Sequence, residues 1–158
     1  MKIIFLLSLC LFFGFNVFGQ SESDDSEVAV EKISLARDDG KGNVGEEITT
    51  FLTTDTPIYC SVELSSTKSV AVKMNFVVVE VNGLKAGKNI VTVSYKTNGK
   101  QNLVNFNASP TDTWTAGKYR VDILLDGKLA ESLNFEIQKT TQPKPKSSVK
   151  NGRKTGKN

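Results

Sequence analysis

Apolar and polar side chains alternate with a period of two through most of the chain between Val28 and Gln138, and no stretch there sustains a helical spacing. Seven runs carry the alternation: Val28–Arg37, Pro57–Leu64, Val70–Val81, Asn89–Thr97, Gln101–Asn107, Lys118–Asp126 and Leu129–Gln138. They are rich in valine, isoleucine, threonine and phenylalanine, which suit a pleated, half-buried surface. The turn pairs Asp39-Gly40, Asn82-Gly83, Asn98-Gly99, Ser109-Pro110 and Asp126-Gly127 separate them. Short strands punctuated in this way predict an all-β fold, a seven-stranded antiparallel sandwich. A span of about 110 residues is one domain's worth and enough for a core.

The final pair of runs constrains its own register. Tyr119, Val121, Ile123 and Leu125 share one face of "KYRVDILLD", and Leu133, Phe135 and Ile137 share one face of "LAESLNFEIQ". A slip of one residue would turn the second apolar set towards solvent. The favoured register sets Tyr119 against Phe135, Val121 against Leu133 and Leu125 against Leu129, and faces Ile123 with Glu131. It needs either a three-residue loop Asp126-Gly127-Lys128, or a tight Asp-Gly turn followed by a bulge near Glu131.

"NFVVVEV" departs from strict alternation, being apolar on both faces from Phe76 to Val81. It reads either as a central strand covered on both sides or as a sandwich strand whose outer face meets a partner or a second copy. On the second reading Val77, Val79 and Val81 form the partner surface, with Lys73 and Glu80 restraining edge pairing. Trp114 and Tyr95 are further aromatic candidates for a ligand surface; for Trp114 the competing reading is packing over the open end of the core.

"DTWTAGKYRVDILLDGKLAESLNFEI" resembles the closing strands of an immunoglobulin-like or fibronectin-type-III-like module, and "TTFLTTDTPIYCSVEL" resembles the second strand of the exported bacterial variety. The resemblance implies that Tyr119 is a corner tyrosine, its hydroxyl bonding back to nearby backbone. It sets Cys60 at the second-strand cysteine position and Val121 at the matching one, so the inter-sheet disulfide is missing. Met74 and Phe76 stand where a tryptophan is usual. Modules of this kind serve mostly as adhesive, spacer or accessory domains, and the resemblance implies such a role here.

The ends of the chain change the picture. "MKIIFLLSLCLFFGFNVFGQ" has one lysine, an apolar run from Ile3 to Phe13 and small residues at Val17 and Gly19, the order of a signal peptide. Its apolar core is shorter than the roughly 20 residues of a membrane-spanning helix; a retained anchor is the rival reading. Leu9 before Cys10 does not suit a lipoprotein cleavage site. Residues 1–19 are therefore expected to be removed, leaving an exported chain, periplasmic or extracellular, in which Cys60 is the one cysteine. The expected domains are the signal peptide 1–19, an acidic linker 20–27, the sandwich 28–138 and a basic tail 139–158, both flanks too poor in apolar residues to order themselves.

The body from Val28 to Gln138 holds twelve basic and thirteen acidic residues, so the chain's net charge of +3 resides in its tail. Lys139, Lys144, Lys146, Lys150, Arg153, Lys154 and Lys157 lie there with no acid among them. Such a segment attracts polyanions with a steep dependence on salt. It has no aromatic residue, which disfavours nucleic acid as a partner, and no amphipathic pattern, so that membrane contact would be electrostatic only. An anionic envelope polymer or an unknown protein is the expected partner, a solubilising end being the alternative. Self-association remains the second expectation, through residues 70–81.

Chemistry for catalysis is sparse. The chain has no histidine, the commonest general base and transition-metal ligand. Cys60 therefore lacks its usual activating partner, and its place in "PIYCSVEL" suits a buried apolar role. "RDDGKGNVGEE" gathers Asp38, Asp39, Glu46 and Glu47 around three glycines. It fails the spacing of an EF-hand in either frame and has no helix to complete a phosphate loop. It is expected to be a solvated strand connection, with adventitious calcium binding the alternative. The sequon Asn107-Ala108-Ser109 matters only in a host that glycosylates its exports. The sequence thus points to a non-enzymatic binding module without catalytic residues, metal or cofactor; an envelope hydrolase using acidic residues is a further alternative.

Overall fold

A computed structural model describes residues 27–140. Its nine strands, in chain order, are β1 (Val30–Asp38), β2 (Val44–Glu47), β3 (Thr50–Leu52), β4 (Ile58–Leu64), β5 (Ala71–Val81), β6 (Asn89–Lys96), β7 (Leu103–Ala108), β8 (Gly117–Leu125) and β9 (Lys128–Gln138). They form a four-stranded sheet in the order β2-β1-β4-β7 and a five-stranded sheet in the order β3-β9-β8-β5-β6. No helix occurs among the described residues. The leader, the acidic segment before Glu27 and the tail beyond Thr140 lie outside them.

The inner faces of the two sheets supply the core. Ile58, Cys60, Val62 and Leu64 of β4 and Val104, Phe106 and Ala108 of β7 meet Val72, Met74, Phe76 and Val78 of β5, and Tyr119, Val121, Ile123 of β8. Each set is spaced by two, as a strand with one covered face requires. Phe135 gathers the aromatic centre: its ring lies 4.9 Å from that of Phe76, 5.5 Å from that of Tyr119 and 6.0 Å from that of Phe51.

Seven of the nine strands correspond to the alternating runs, and two do not. β2 is "VGEE", with one apolar residue, and β3 is "TFL", too short to show any period. β3 exists because Phe51 is fully buried, which contributes about 2–3 kcal/mol for a phenylalanine. It pairs in parallel with the last strand, Thr50 to Glu136 and Leu52 to Gln138, so the sandwich is not wholly antiparallel. The chain thereby leaves the first sheet after β2 and enters the second.

The closing hairpin takes the tight-turn solution. Leu125 pairs with Lys128, not Leu129, around Asp126 (φ 46°) and Gly127 (φ 85°), the left-handed pair that a two-residue turn demands. The register then shifts beyond the Leu124–Leu129 pair, restoring Ile123 opposite Glu131, Val121 opposite Leu133 and Tyr119 opposite Phe135. The bulge is what lets a two-residue turn coexist with the apolar register.

Candidate interaction surfaces

The bulged centre of β5 decides which valines are accessible. Against β8, Val78 pairs with Tyr119 and Glu80 with Lys118, leaving Val79 as the extra residue. That bulge resets the alternation: Val81 turns back into the core, while Val79 is pushed out and is 42% exposed. Val77 faces outward opposite Arg120, yet it too is buried. Val77 and Val81 are therefore not available as a partner surface, and Val79 stands alone. The centre of that outer face is polar, since Asn75 accepts from Thr92 and Arg120, Asp122 and Ser132 bond one another; its other apolar side chains, Leu124 and the exposed Leu129, lie apart at the β8–β9 turn.

Trp114 is also buried, contrary to its reading as a ligand platform. Its indole Nε1 donates to Asp55 O at 2.8 Å and its amide to Thr53 O at 3.2 Å, and its ring lies 6.0 Å from that of Phe76. It thus plugs the end of the core from the loop before β8, held by the turn after β3. Tyr95 on β6 is exposed at 42%.

Tyr119 is buried at the start of β8, and its hydroxyl donates to Thr115 O at 2.7 Å, four residues back. Cys60 is fully buried, and burial pushes its thiol up to about 12. Val121 is buried in the same core cluster. A buried thiol of this kind is an apolar filler, not a nucleophile.

The acidic loop is a solvated strand connection, the exposed tip of the β1–β2 hairpin. Asp38 Oδ1 accepts from the amides of Gly40 and Gly42, and Asp39 Oδ1 from those of Lys41 and Asn43. The Asn43 and Lys41 amides hold the Asp39 carboxyl below its ordinary range. Tyr59 pins the tip, donating to Gly42 O at 2.8 Å. Glu46 and Glu47 turn away to Arg37 (3.6 Å) and Lys32 (3.0 Å). The four carboxylates are thus spent on the hairpin itself, and no group of three metal-ligating side chains occurs among the described residues.

A hollow of about 390 Å³ lies on the outward side of the five-stranded sheet, between Thr49, Val79, Lys118, Asn134 and Glu136. At its rim Lys118 Nζ bonds Glu80 Oε2 at 2.7 Å. This pairing lowers the Glu80 carboxyl and raises the Lys118 ammonium.

Of the basic tail, Lys139 is described and is exposed just past the end of β9; Lys144, Lys146, Lys150, Arg153, Lys154 and Lys157 lie outside the described residues. Periodicity did not reveal a second basic region, Lys73, Lys85, Lys88, Lys96 and Lys100, which the topology collects on β5, β6 and their turns at one side of the sandwich. The signal was present in the linear charge order: residues 71–100 contain those five lysines and one acid, Glu80.

No protein-family model matches the chain, and no curated protein matches it. Among solved structures, an immunoglobulin-like protein from Pseudomonas aeruginosa is similar at 12% identity and a TM-score of 0.49, over 72% of this chain and 98% of that one. An alkylpurine DNA glycosylase from Pseudomonas fluorescens, bound to DNA containing an abasic-site analogue, is similar at 19% identity and a TM-score of 0.47. That match covers 72% of this chain and 31% of the glycosylase.

Proposed function

We propose that the protein is an exported, non-enzymatic binding module of immunoglobulin-like architecture that engages an anionic envelope polymer through residues 139–158. The architectural part is supported by the strand order, in which the chain changes sheets at β3 to lie parallel to the final strand, and by the Tyr119–Thr115 bond at the start of β8. The leader-like residues 1–19 support export. A non-catalytic role is supported by what the reactive side chains are doing: Cys60 fills the core, and the hairpin carboxylates hold their own loop.

One observation carries the binding role. Beyond Gln138 the sequence holds seven cations and no acid, whereas the body has one acid more than it has bases. Affinity that arises from such a segment is electrostatic and collapses with added salt. The test is a pull-down of anionic polymers from envelope extract by the chain with and without residues 139–158, at low and at high salt. Capture that is lost with the segment or with salt is the expected result; capture unchanged by deletion at low salt refutes the role.

A further inference from the structure

Among the described residues, β6 is an open edge of the five-stranded sheet. Thr97, just past its end, donates its amide to Val70 O at 3.0 Å and continues the register in which Tyr95 faces Val72 and Val93 faces Met74. In an antiparallel ladder the residues between such bonded positions aim their N–H and C=O groups the other way. Thr92, Ser94 and Lys96 therefore present their backbone groups to solvent, along a strand of eight residues.

The two faces of this edge differ chemically. Towards the second sheet, Val91 and Val93 are only partly covered against the core, and Tyr95 is exposed. Away from it stand the short side chains of Thr92 and Ser94, then Lys96, with Lys73 opposite Ser94 on β5. Lys85, Lys88 and Lys100 flank the strand in its two turns, and Glu80, the one acid of the region, is already bonded to Lys118. Lysines along an open edge repel a second copy of that edge. The same charges attract and orient an acidic strand.

We propose that β6 is a strand-addition site for an extended acidic segment of another protein, one in which acidic residues alternate with apolar ones. Its backbone pairs with Thr92, Ser94 and Lys96. Its apolar side chains cover Val91, Val93 and Tyr95, and its carboxylates face Lys73 and Lys96. The surface is distinct from residues 139–158, so it stands or falls independently of polymer binding by the tail.

Residue-resolved hydrogen exchange on the intact chain, with and without a short peptide alternating glutamate and valine, tests the site. The expected result is protection of the Thr92, Ser94 and Lys96 amides by the peptide. Ser94→Pro should weaken edge binding about tenfold, because the N–H it removes points away from β5 and serves no bond of the sheet itself. Lys96→Glu should weaken it too without touching the backbone, and it decides the matter if the proline variant does not fold. Failure of the peptide to protect these three amides overturns the proposal, as does equal protection by polyglutamate or dextran sulfate, which would mean simple polyanion attraction. A concentration-dependent dimer, seen by light scattering and abolished by Ser94→Pro, would overturn it in favour of a second copy at the edge.

Discussion

Arg120 grips Asp122, two residues along the same strand, through two parallel contacts: Nε to Oδ1 at 2.6 Å and Nη2 to Oδ2 at 2.9 Å. Ser132 of β9 donates to the same Oδ1 at 2.7 Å, and the Asp122 side chain is left only 12% exposed. Burial alone would raise the carboxyl; the Arg120 and Ser132 bonds outweigh it, and the group titrates below its ordinary value. The polar groups at the centre of this outer face thus satisfy one another across β8 and β9.

The consequence is a defined pH dependence. Because the folded-state value is depressed, the stabilisation from Asp122 is fully present above its unfolded value, about 3.9, and is lost as pH falls through the lower folded value. Asp122→Asn should destabilise the chain by about 1–2 kcal/mol at neutral pH, since the half-exposed Arg120 can be rehydrated. The gap to wild type should narrow below pH of about 4. Urea unfolding at a series of pH values reads both effects.

Tyr119 combines ring packing on Phe135 with its bond to Thr115 O. Tyr119→Phe keeps the first and removes the second, so it should cost about 1 kcal/mol with an unchanged dependence on denaturant. Tyr119→Ala opens a cavity and should cost about 3–5 kcal/mol. The contrast between the two variants separates the corner bond from the packing.

Much of this body could be read from side-chain alternation, and where it could not the reasons are local. The run Lys118–Asp126 was legible because Tyr119, Val121, Ile123 and Leu125 are all buried on one face. Val81 reads as outward-facing in the sequence because a bulge at Val79 has no signature in a stretch of consecutive valines, whereas Val77 does face outward and is buried there. β3 hangs on one residue, Phe51, and no period can be drawn through one point. The lysines of the basic edge sit on two strands and two turns: the linear charge order shows their excess, and only the pairing of β5 with β6 brings them to one edge.

Gly117 opens β8 at φ 153°, paired with Val81. A Cβ there would lie 2.5 Å from Glu80 O and 2.8 Å from Val81 Cγ2, and the carbonyl belongs to the neighbouring strand and cannot swing aside. Gly117→Ala should therefore cost about 3 kcal/mol or more, combining backbone strain with the clash. Gly127→Ala meets nothing within 4 Å and bears only the cost of its left-handed turn. Thermal unfolding of the two variants should rank them in that order.

Trp114 is the chain's one tryptophan, so its fluorescence reports a single site. Buried against Phe76 with its indole N–H bonded to Asp55 O, it should emit at short wavelength and shift to the red only on unfolding. Carbohydrate ligands added to the folded chain should leave the emission unchanged. A quench on adding such a ligand would restore Trp114 as a binding residue.

Cys60 separates a reactive thiol from a packed one. Desolvation raises its folded-state value to about 12 from 9.0. A raised value means that the fold favours the protonated form. The associated stability is complete below the unfolded value and is lost as pH rises towards the folded one. Wild type should therefore weaken between pH 9 and 12 more than Cys60→Ala does, although the variant starts lower at neutral pH because it leaves a small void. In the chain without residues 1–19, where Cys60 is the one cysteine, an aromatic disulfide reagent should leave the native thiol untouched at pH 8 and label it at once in denaturant. Rapid labelling of the folded chain would mean that Cys60 is accessible, and the non-catalytic reading of that side chain would then fail.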